Sequence, residues 1–289
     1  MYKIAILGCE NSHANNFLKL ISEGAYPDIE VLGVYSEYPE SAKKLHDEYG
    51  VKIMSDYAQL AGELDGVMIT ARHGDNHPKY AAPYLEYGIP MFIDKPITCT
   101  EEDGIEFMRA AKSHGVRLCG GSTCAGLPET LELADAVSSG ALGEVVGGNI
   151  VAPIDRYSEY GGFYFYAQHL VEVMMRIFGN NVTEVIADDR ESSINVTARY
   201  PEYSAHGTFV QHGAYYYSFS AYGKDAAITR EAKISKDSFR NEMDDMLALL
   251  RGEPMKKSYE DFLAPVFVIN AILRSIKSGK WEKVNGITI

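Results

Sequence analysis

The chain has 289 residues, of which 46% are apolar, and its formal net charge is -13. This length has room for two domains with well-formed cores, and the apolar content excludes a disordered chain. The acidic balance argues against nucleic acid or an anionic membrane as the main partner. It does not exclude a phosphate-bearing cofactor, because such a group is held by local amides rather than by overall charge.

The cysteines and the first residues indicate where the protein works. Cys9, Cys99, Cys119 and Cys124 show no Cys-x-x-Cys spacing of a metal site. In a chain of this length they are typical of reduced thiols. The chain enters an apolar strand at once, without a signal-peptide layout or an apolar run long enough to cross a bilayer. We therefore expect a soluble protein of the cytoplasm.

The first pattern along the chain is a strand, a glycine turn and a helix. Residues 2–7 form an apolar run that ends at Gly8, and Phe17, Leu18 and Ile21 then repeat at helical spacing. This order is typical of the opening of a dinucleotide-binding unit, in which Gly8 provides the tight turn.

The turn itself departs from the glycine fingerprint of such units. Aligned without a gap, Glu10 and His13 occupy the second and third glycine positions. A carboxylate at Glu10 would repel a pyrophosphate, and its side chain would hinder close backbone approach. Asn11, Ser12 and the amino terminus of the helix can still donate hydrogen bonds to an anion.

A second strand over residues 29–35 ends at Ser36 and Glu37. An acid at this strand end normally accepts hydrogen bonds from the ribose hydroxyls of the dinucleotide. Ser36 would tolerate a ribose phosphate instead, so the sequence leaves both NAD and NADP open.

A further strand over residues 65–70 ends at Thr70 and leads into the loop 71–77. His73 and His77 lie four residues apart in and after this loop, which raises the question of a metal. The loop contains glycine and no third ligand follows nearby, so we expect no metal there.

The stretch 91–98 carries the main candidate for chemistry. An apolar strand over residues 91–93 runs into Asp94, Lys95 and Pro96. Ligands of open α/β sheets bind outside the carboxyl ends of the strands. A lysine held there is a candidate for proton transfer or for polarising a substrate oxygen. The alternative is a lysine in an ordinary strand-to-helix turn.

The arrangement of elements changes at about residue 122. Strands and helices alternate up to residue 121, which predicts a doubly wound parallel sheet. Later segments over 182–187, 193–200, 207–210 and 214–222 read as strands without intervening helices, which predicts an open, mostly antiparallel sheet. We therefore expect an α/β protein with an amino-terminal Rossmann domain at 1–121 and a substrate-binding and oligomerisation domain at 122–289.

An aromatic cluster occurs in the last of these strands. Its members are Tyr215, Tyr216, Tyr217, Phe219 and Tyr222. An aromatic sheet face calls for a covering partner, so we expect a homo-oligomer through this sheet. Coverage of the same face by the chain's own loops is the alternative.

Several short motifs, taken in order, resemble the Gfo/Idh/MocA oxidoreductases, the family of glucose-fructose oxidoreductase and inositol dehydrogenase. Asp94-Lys95-Pro96 is similar to its Glu-Lys-Pro motif, and His77 to its loop histidine. His169 and Glu172 resemble its His-x-x-Asp pair, and the resemblance covers nearly the whole chain.

The resemblance implies an NAD(P)-dependent oxidoreductase that acts on a sugar, a polyol or a related hydroxy compound. Lys95 and His169 take the places of the catalytic lysine and histidine. The cofactor would lie along Gly8, the loop from Thr70 to His77, and the Asp94-Lys95 pair. An alignment with a shortened turn also places His13 and Ala14 on a recurrent His-Ala of the family, which adds His13 to the cofactor site.

Two departures leave other functions open. The family's catalytic aspartate falls on Phe165, which cannot carry a proton, and Tyr166 is the nearest polar substitute, on the helix face of His169. The family's arginine after the strand at 116–119 is also missing. The alternatives are a non-catalytic nucleotide- or sugar-binding protein on the same scaffold, and a retained cofactor used in elimination or epimerisation.

Overall fold

The computed structural model describes residues 1–211 and 216–289. Part of the predicted strand at 214–222, including Tyr215, therefore lies outside the described residues. The chain divides into two compact units, the first formed by 1–121, 236–260 and 289, the second by 122–235 and 261–288.

The first unit is built on a five-stranded sheet in the order β2-β1-β3-β4-β5, in which every neighbouring pair is parallel. Its strands and helices are β1 (Tyr2–Leu7), α1 (Ser12–Ser22), β2 (Ile29–Tyr35), α2 (Pro39–Tyr49), β3 (Gly66–Ile69), α3 (Asn76–Leu85), β4 (Met91–Asp94), α4 (Glu101–Ser113), β5 (Leu118–Gly121) and α7 (Arg240–Leu250). The central strands β3 and β4 are buried throughout, which explains why they read as continuous apolar runs. The predicted doubly wound sheet is confirmed. Residues 51–54 also read as a short strand in the sequence, but this prediction is wrong, since they form only a single bridge between Ile53 and Val34.

The segment 236–260 packs with the first unit, although the sequence led us to place it in the second domain. Met243 and Met246 on α7 are fully buried in the same apolar cluster as Phe17 of α1 and Phe92 of β4. Phe239, just before α7, lies on the same helical face and joins this cluster. Its apolar face therefore belongs to the core of the parallel sheet, and the sequence boundary at 121 holds only for the chain before residue 236.

The second unit contains a seven-stranded sheet in the order β11-β10-β6-β9-β8-β7-β12. Its strands and helices are α5 (Pro128–Ser138), β6 (Val145–Ile154), α6 (Tyr164–Phe178), β7 (Glu184–Asp189), β8 (Ser193–Arg199), β9 (Ser204–Gln211), β10 (Tyr217–Gly223), β11 (Ala227–Ala232), α8 (Tyr259–Ser278), which begins at the end of the first unit, and β12 (Glu282–Lys283). Neighbouring strands are antiparallel except for β6 and β9. The expected open, mostly antiparallel sheet is confirmed.

The aromatic side chains of β10 do not form an exposed face. Tyr217 and Phe219 are buried in the core between this sheet and helices α5, α6 and α8. Tyr216 and Tyr222 are exposed. The strand alternation turns the two buried rings toward the helices of their own unit, whereas Tyr222 lies on the opposite face of the sheet.

The opposite face of this sheet carries mainly polar side chains. A shallow cavity of about 500 Å³ on β7, β8 and β9 is lined by residues such as Asn195, Thr197, His206 and Thr208. Among the described residues, no helix combines the length and apolar character that a membrane span requires.

Candidate active site

The turn after β1 requires a glycine. Gly8 has a φ of +77°, and a Cβ at this position would lie 2.4 Å from the Cα of Ala71. The hydroxyl of Thr70 donates to the Gly8 carbonyl at 3.0 Å, which ties the ends of β1 and β3 together. Any larger residue would force these two loops apart.

The amino terminus of α1 follows this turn. Asn11 is its N-cap residue, but no side chain caps the helix, and its first turn contains no acid. The Asn11 amide instead donates to Asp94 at 2.6 Å, and Ser12 lies exposed beside it. A helix start without a side-chain cap or an acidic residue in its first turn fits an anionic group. The tight turn and this helix start together fit the pyrophosphate of a dinucleotide.

Asp94, at the carboxyl end of β4, is a buried acceptor for several neighbours. Its carboxylate accepts from the Asn11 amide and, at 2.7 Å, from the backbone N–H of Lys95. His13 Nδ1 lies 3.3 Å from the same carboxylate. These contacts orient the start of Lys95, whose side chain is itself buried and whose peptide bond to Pro96 is cis. Asp94, Asn11 and His13 thus position the lysine.

His13 lies between two carboxylates. Its Nε2 is 3.7 Å from Glu242 on α7, opposite the contact with Asp94. Burial lowers the pKa of His13 and the Lys95 ammonium opposes protonation too, but Asp94 and Glu242 outweigh both, so the pKa is raised above 6.5. Four ionisable groups are thus buried together, and the imidazolium and the ammonium balance the two carboxylates.

Glu10 does not project freely toward the helix start. One oxygen accepts from the Ser36 hydroxyl at 2.7 Å, and the other from the backbone N–H of Arg72 at 3.2 Å. The side chain therefore reaches from the glycine turn to the end of β2.

His77, predicted to line the cofactor, is completely buried. Its Nε2 lies 2.9 Å from the Ala71 carbonyl and its Nδ1 lies 3.2 Å from the Ile97 carbonyl. Burial lowers the pKa of this imidazole despite the nearby Asp94 carboxylate. In this arrangement His77 holds the loops after β3 and β4 together.

His73 belongs to a different group. A ring nitrogen of His73, a carboxylate oxygen of Asp75 and the sulfur of Cys99 lie within 4.8 Å of one another. His77 does not belong to this group. Burial, together with Asp75, raises the pKa of the Cys99 thiol to about 12. His73 and His77 therefore do not act as a pair.

A second polar cluster surrounds His169 on α6, within the second unit. Its Nδ1 lies 2.7 Å from the hydroxyl of Ser122. Glu172 accepts from the backbone N–H of Ser122 at 2.8 Å and from the Gln168 amide at 2.9 Å. All four residues are buried, so Ser122 is held by Glu172 and in turn orients the imidazole.

Aromatic rings occupy the helix turn before His169. Phe165, at the position of the expected aspartate, lies with its ring 5.3 Å from Tyr160 and 4.8 Å from Tyr166. The Tyr166 ring is 5.6 Å from the imidazole of His169. The ring of Tyr166 therefore borders the histidine, as its helical spacing predicts.

The sequence did not lead us to predict three contacts of these clusters. Ser122 follows a strand end directly, which is where polar ligand-binding residues collect. Glu242 follows Phe239 at a three-residue spacing and precedes Met243, and an acid on the apolar face of a helix is a signal of a buried partner. The bond between Glu10 and Ser36 has no signal in the local pattern.

The parallel sheet, the tight turn at Gly8 and the open helix start define a dinucleotide-binding Rossmann protein. Residues 2–122 match the family model described as the oxidoreductase family with an NAD-binding Rossmann fold. The matched model is that of the Gfo/Idh/MocA family, which the sequence motifs resemble. A search of curated proteins gave no match.

Solved structures extend the likeness over the whole chain. GenD2 from gentamicin A biosynthesis, in complex with NAD, is similar with a TM-score of 0.86 at 15% identity, over 99% of this chain and 97% of that chain. A putative myo-inositol dehydrogenase from Sinorhizobium meliloti gives 0.84 at 17% identity, over 99% and 100%. Apo scyllo-inositol dehydrogenase from Lactobacillus casei gives 0.84 at 14% identity, over 98% and 98%. At these identities the likeness establishes the shared fold.

Proposed function

We propose that the protein is an NAD(P)-dependent dehydrogenase that oxidises or reduces a hydroxyl carbon of a sugar, a polyol or a related compound. The NAD-binding family model supports the cofactor class. The similar structures include inositol dehydrogenases, which support the substrate class.

The observation that carries this proposal is the position of Lys95. It follows the carboxyl end of β4, is buried, and is oriented by Asp94 through its own backbone N–H. When bound, the nicotinamide supplies the site that accepts or donates the hydride. The Lys95 ammonium then donates a hydrogen bond to the reacting oxygen and stabilises the charge that develops there.

We assign His169 and Tyr166 to the same reaction. Ser122 engages Nδ1 of His169 and thereby orients the imidazole, which would exchange a proton with the substrate hydroxyl. The resemblance of His169 to the family's catalytic histidine supports this assignment.

The test is a panel of sugars and polyols assayed with NAD and NADP on the wild type and on Lys95→Ala. We expect kcat of Lys95→Ala to fall by about a hundredfold or more, the usual range for a proton-transfer group. The dissociation constant of the cofactor, measured by calorimetry, should change by less than about threefold. Lys43→Ala is the control, since Lys43 is exposed and pairs only with Asp47 among its described contacts. Near-full activity of Lys95→Ala would remove this lysine from the reaction.

A non-catalytic nucleotide- or sugar-binding protein is the second candidate. The observation that favours it is Phe165, whose ring packs between Tyr160 and Tyr166 where an acid was expected. Tight nucleotide binding without turnover of any compound in the panel would decide for this function.

We also propose that the protein works in the cytoplasm as a homo-oligomer through the open face of the second sheet. Within the described residues the four cysteines form no disulfide, which suits a reducing compartment. The open face bears exposed Tyr222 on β10 beside polar neighbours. Sedimentation at micromolar concentration tests the assembly, and a monomer would reject it.

A further inference from the structure

The end of β2 lacks the acid that would accept the ribose hydroxyls of a dinucleotide. Ser36 stands at this position, directly after the last residue of β2. A carboxylate nevertheless reaches this point, because Glu10 accepts from the Ser36 hydroxyl at 2.7 Å.

The carboxylate of Glu10 is held from both sides. The backbone N–H of Arg72 donates to its second oxygen at 3.2 Å. Ser36 is held as well, since its oxygen accepts from the backbone N–H of Tyr38 at 3.1 Å. The hydroxyl therefore uses its one proton for Glu10 and its lone pair for Tyr38. Ser36 has no second proton with which to bind a ribose phosphate.

We propose that Glu10 replaces the missing strand-end acid, accepts the ribose hydroxyls of the adenosine half, and thereby selects NAD over NADP. The inference rests on the proposed dehydrogenase function and adds the choice of cofactor. A carboxylate accepts from the two hydroxyls of a ribose, but it repels the phosphate that replaces one of them in NADP.

The surrounding charges are consistent with this selection. Glu37, the residue after Ser36, adds a second carboxylate at the strand end and pairs with Lys79 at 2.5 Å. Lys79 is thereby engaged by an acid, and Arg72, whose backbone N–H donates to Glu10, carries a second cationic side chain. Selection against a phosphate therefore depends on Glu10 outweighing these two cations.

The test measures the binding of NADH and NADPH by their nicotinamide fluorescence, without any substrate. For the wild type we expect NADH to bind about a hundredfold tighter than NADPH. Glu10→Gln keeps the shape but removes the charge. A lost hydrogen bond to a charged group should weaken NADH about ten- to hundredfold. NADPH should bind as well as before or more tightly, so the ratio collapses.

The control is Glu106→Gln, which removes an exposed carboxylate on α4. It should change the ratio by less than about threefold. If Glu10→Gln does not fold, as judged by circular dichroism, Glu10→Asp replaces it. Its shorter side chain does not reach Ser36, so it should also narrow the ratio.

Three results would overturn the proposal. They are a wild type that prefers NADPH, a Glu10→Gln variant with an unchanged ratio, and a variant that binds both nucleotides more tightly by the same factor. The last result would show that Glu10 faces the pyrophosphate that the two cofactors share. Absence of turnover with a normal preference for NADH would instead reject only the dehydrogenase function.

Discussion

The contact between His13 and Glu242 makes the stability of the first unit depend on pH. Both side chains are buried, and His13 Nε2 lies 3.7 Å from a Glu242 oxygen. At an effective dielectric constant of 20, this separation corresponds to an attraction of about 4 kcal/mol. Replacing the carboxylate by an amide also removes its desolvation cost, which offsets roughly half. We therefore expect Glu242→Gln to lower the free energy of unfolding by about 2 kcal/mol at pH 6.

The pH dependence separates this charge effect from lost packing. Because the pKa of His13 is raised above its ordinary value of 6.5 in the folded protein, protonation contributes stability that is fully present below pH 6.5. That contribution is lost as the pH rises through the raised pKa. The loss of stability in the variant should therefore shrink between pH 6 and a pH above the raised pKa of His13, where a neutral imidazole no longer attracts Glu242.

Urea denaturation followed by circular dichroism measures both values. Asp245→Asn is the control on the same helix, because Asp245 forms an exposed pair with Lys256. It should cost less than about 0.5 kcal/mol. An equal loss at both pH values in Glu242→Gln, or no loss at pH 6, would show that the imidazolium and the carboxylate do not stabilise each other.

Three further variants test the remaining contacts. Ser122→Ala removes the partner of His169 Nδ1 and should lower kcat by up to about tenfold, with cofactor affinity unchanged in calorimetry; unaltered kinetics would exclude an orienting role. Gly8→Ala places a Cβ against Ala71 at a positive φ and should lower the free energy of unfolding by about 3 kcal/mol in urea denaturation, whereas a stable variant would show that the turn can open. Tyr166→Phe keeps the ring but removes the hydroxyl, and we expect steady-state kcat to fall at least about tenfold; full activity would leave Lys95 and His169 as the proton-carrying groups.

The strands of the first unit were predictable because burial on both faces leaves a continuous apolar run. Residues 2–7 and 29–35 were predicted as strands and are β1 and β2. Residues 51–54 show the same local character, but they form only an isolated bridge, in which Ile53 pairs with Val34. A local pattern identifies a segment that suits a strand, while the partner that makes it one is a long-range property.

The candidate site was predictable where chemistry follows a strand end. Lys95 and Asp94 were found in this way, since the carboxyl ends of parallel strands gather ligand-binding residues. Glu242 was not, because its contact with His13 depends on a segment that returns to the first unit after more than two hundred residues of chain. The orientation of the Glu10 side chain was likewise not predictable, because it depends on the hydrogen bond from Ser36 and not on the residues next to Glu10 in the sequence.

Glu242, on the segment 236–260, and Lys95 belong to one buried group of side chains whose opposite charges compensate each other. Asp94 holds the backbone of Lys95, and burying this carboxylate beside Glu242 requires compensating cations. His13 contacts both acids, and Lys95 lies close enough to oppose its protonation. Removing any one of these four groups leaves a buried charge without its compensation. Since α7 supplies Glu242, the packing of residues 236–260 against the first unit contributes to the electrostatic environment in which Lys95 would meet a substrate oxygen.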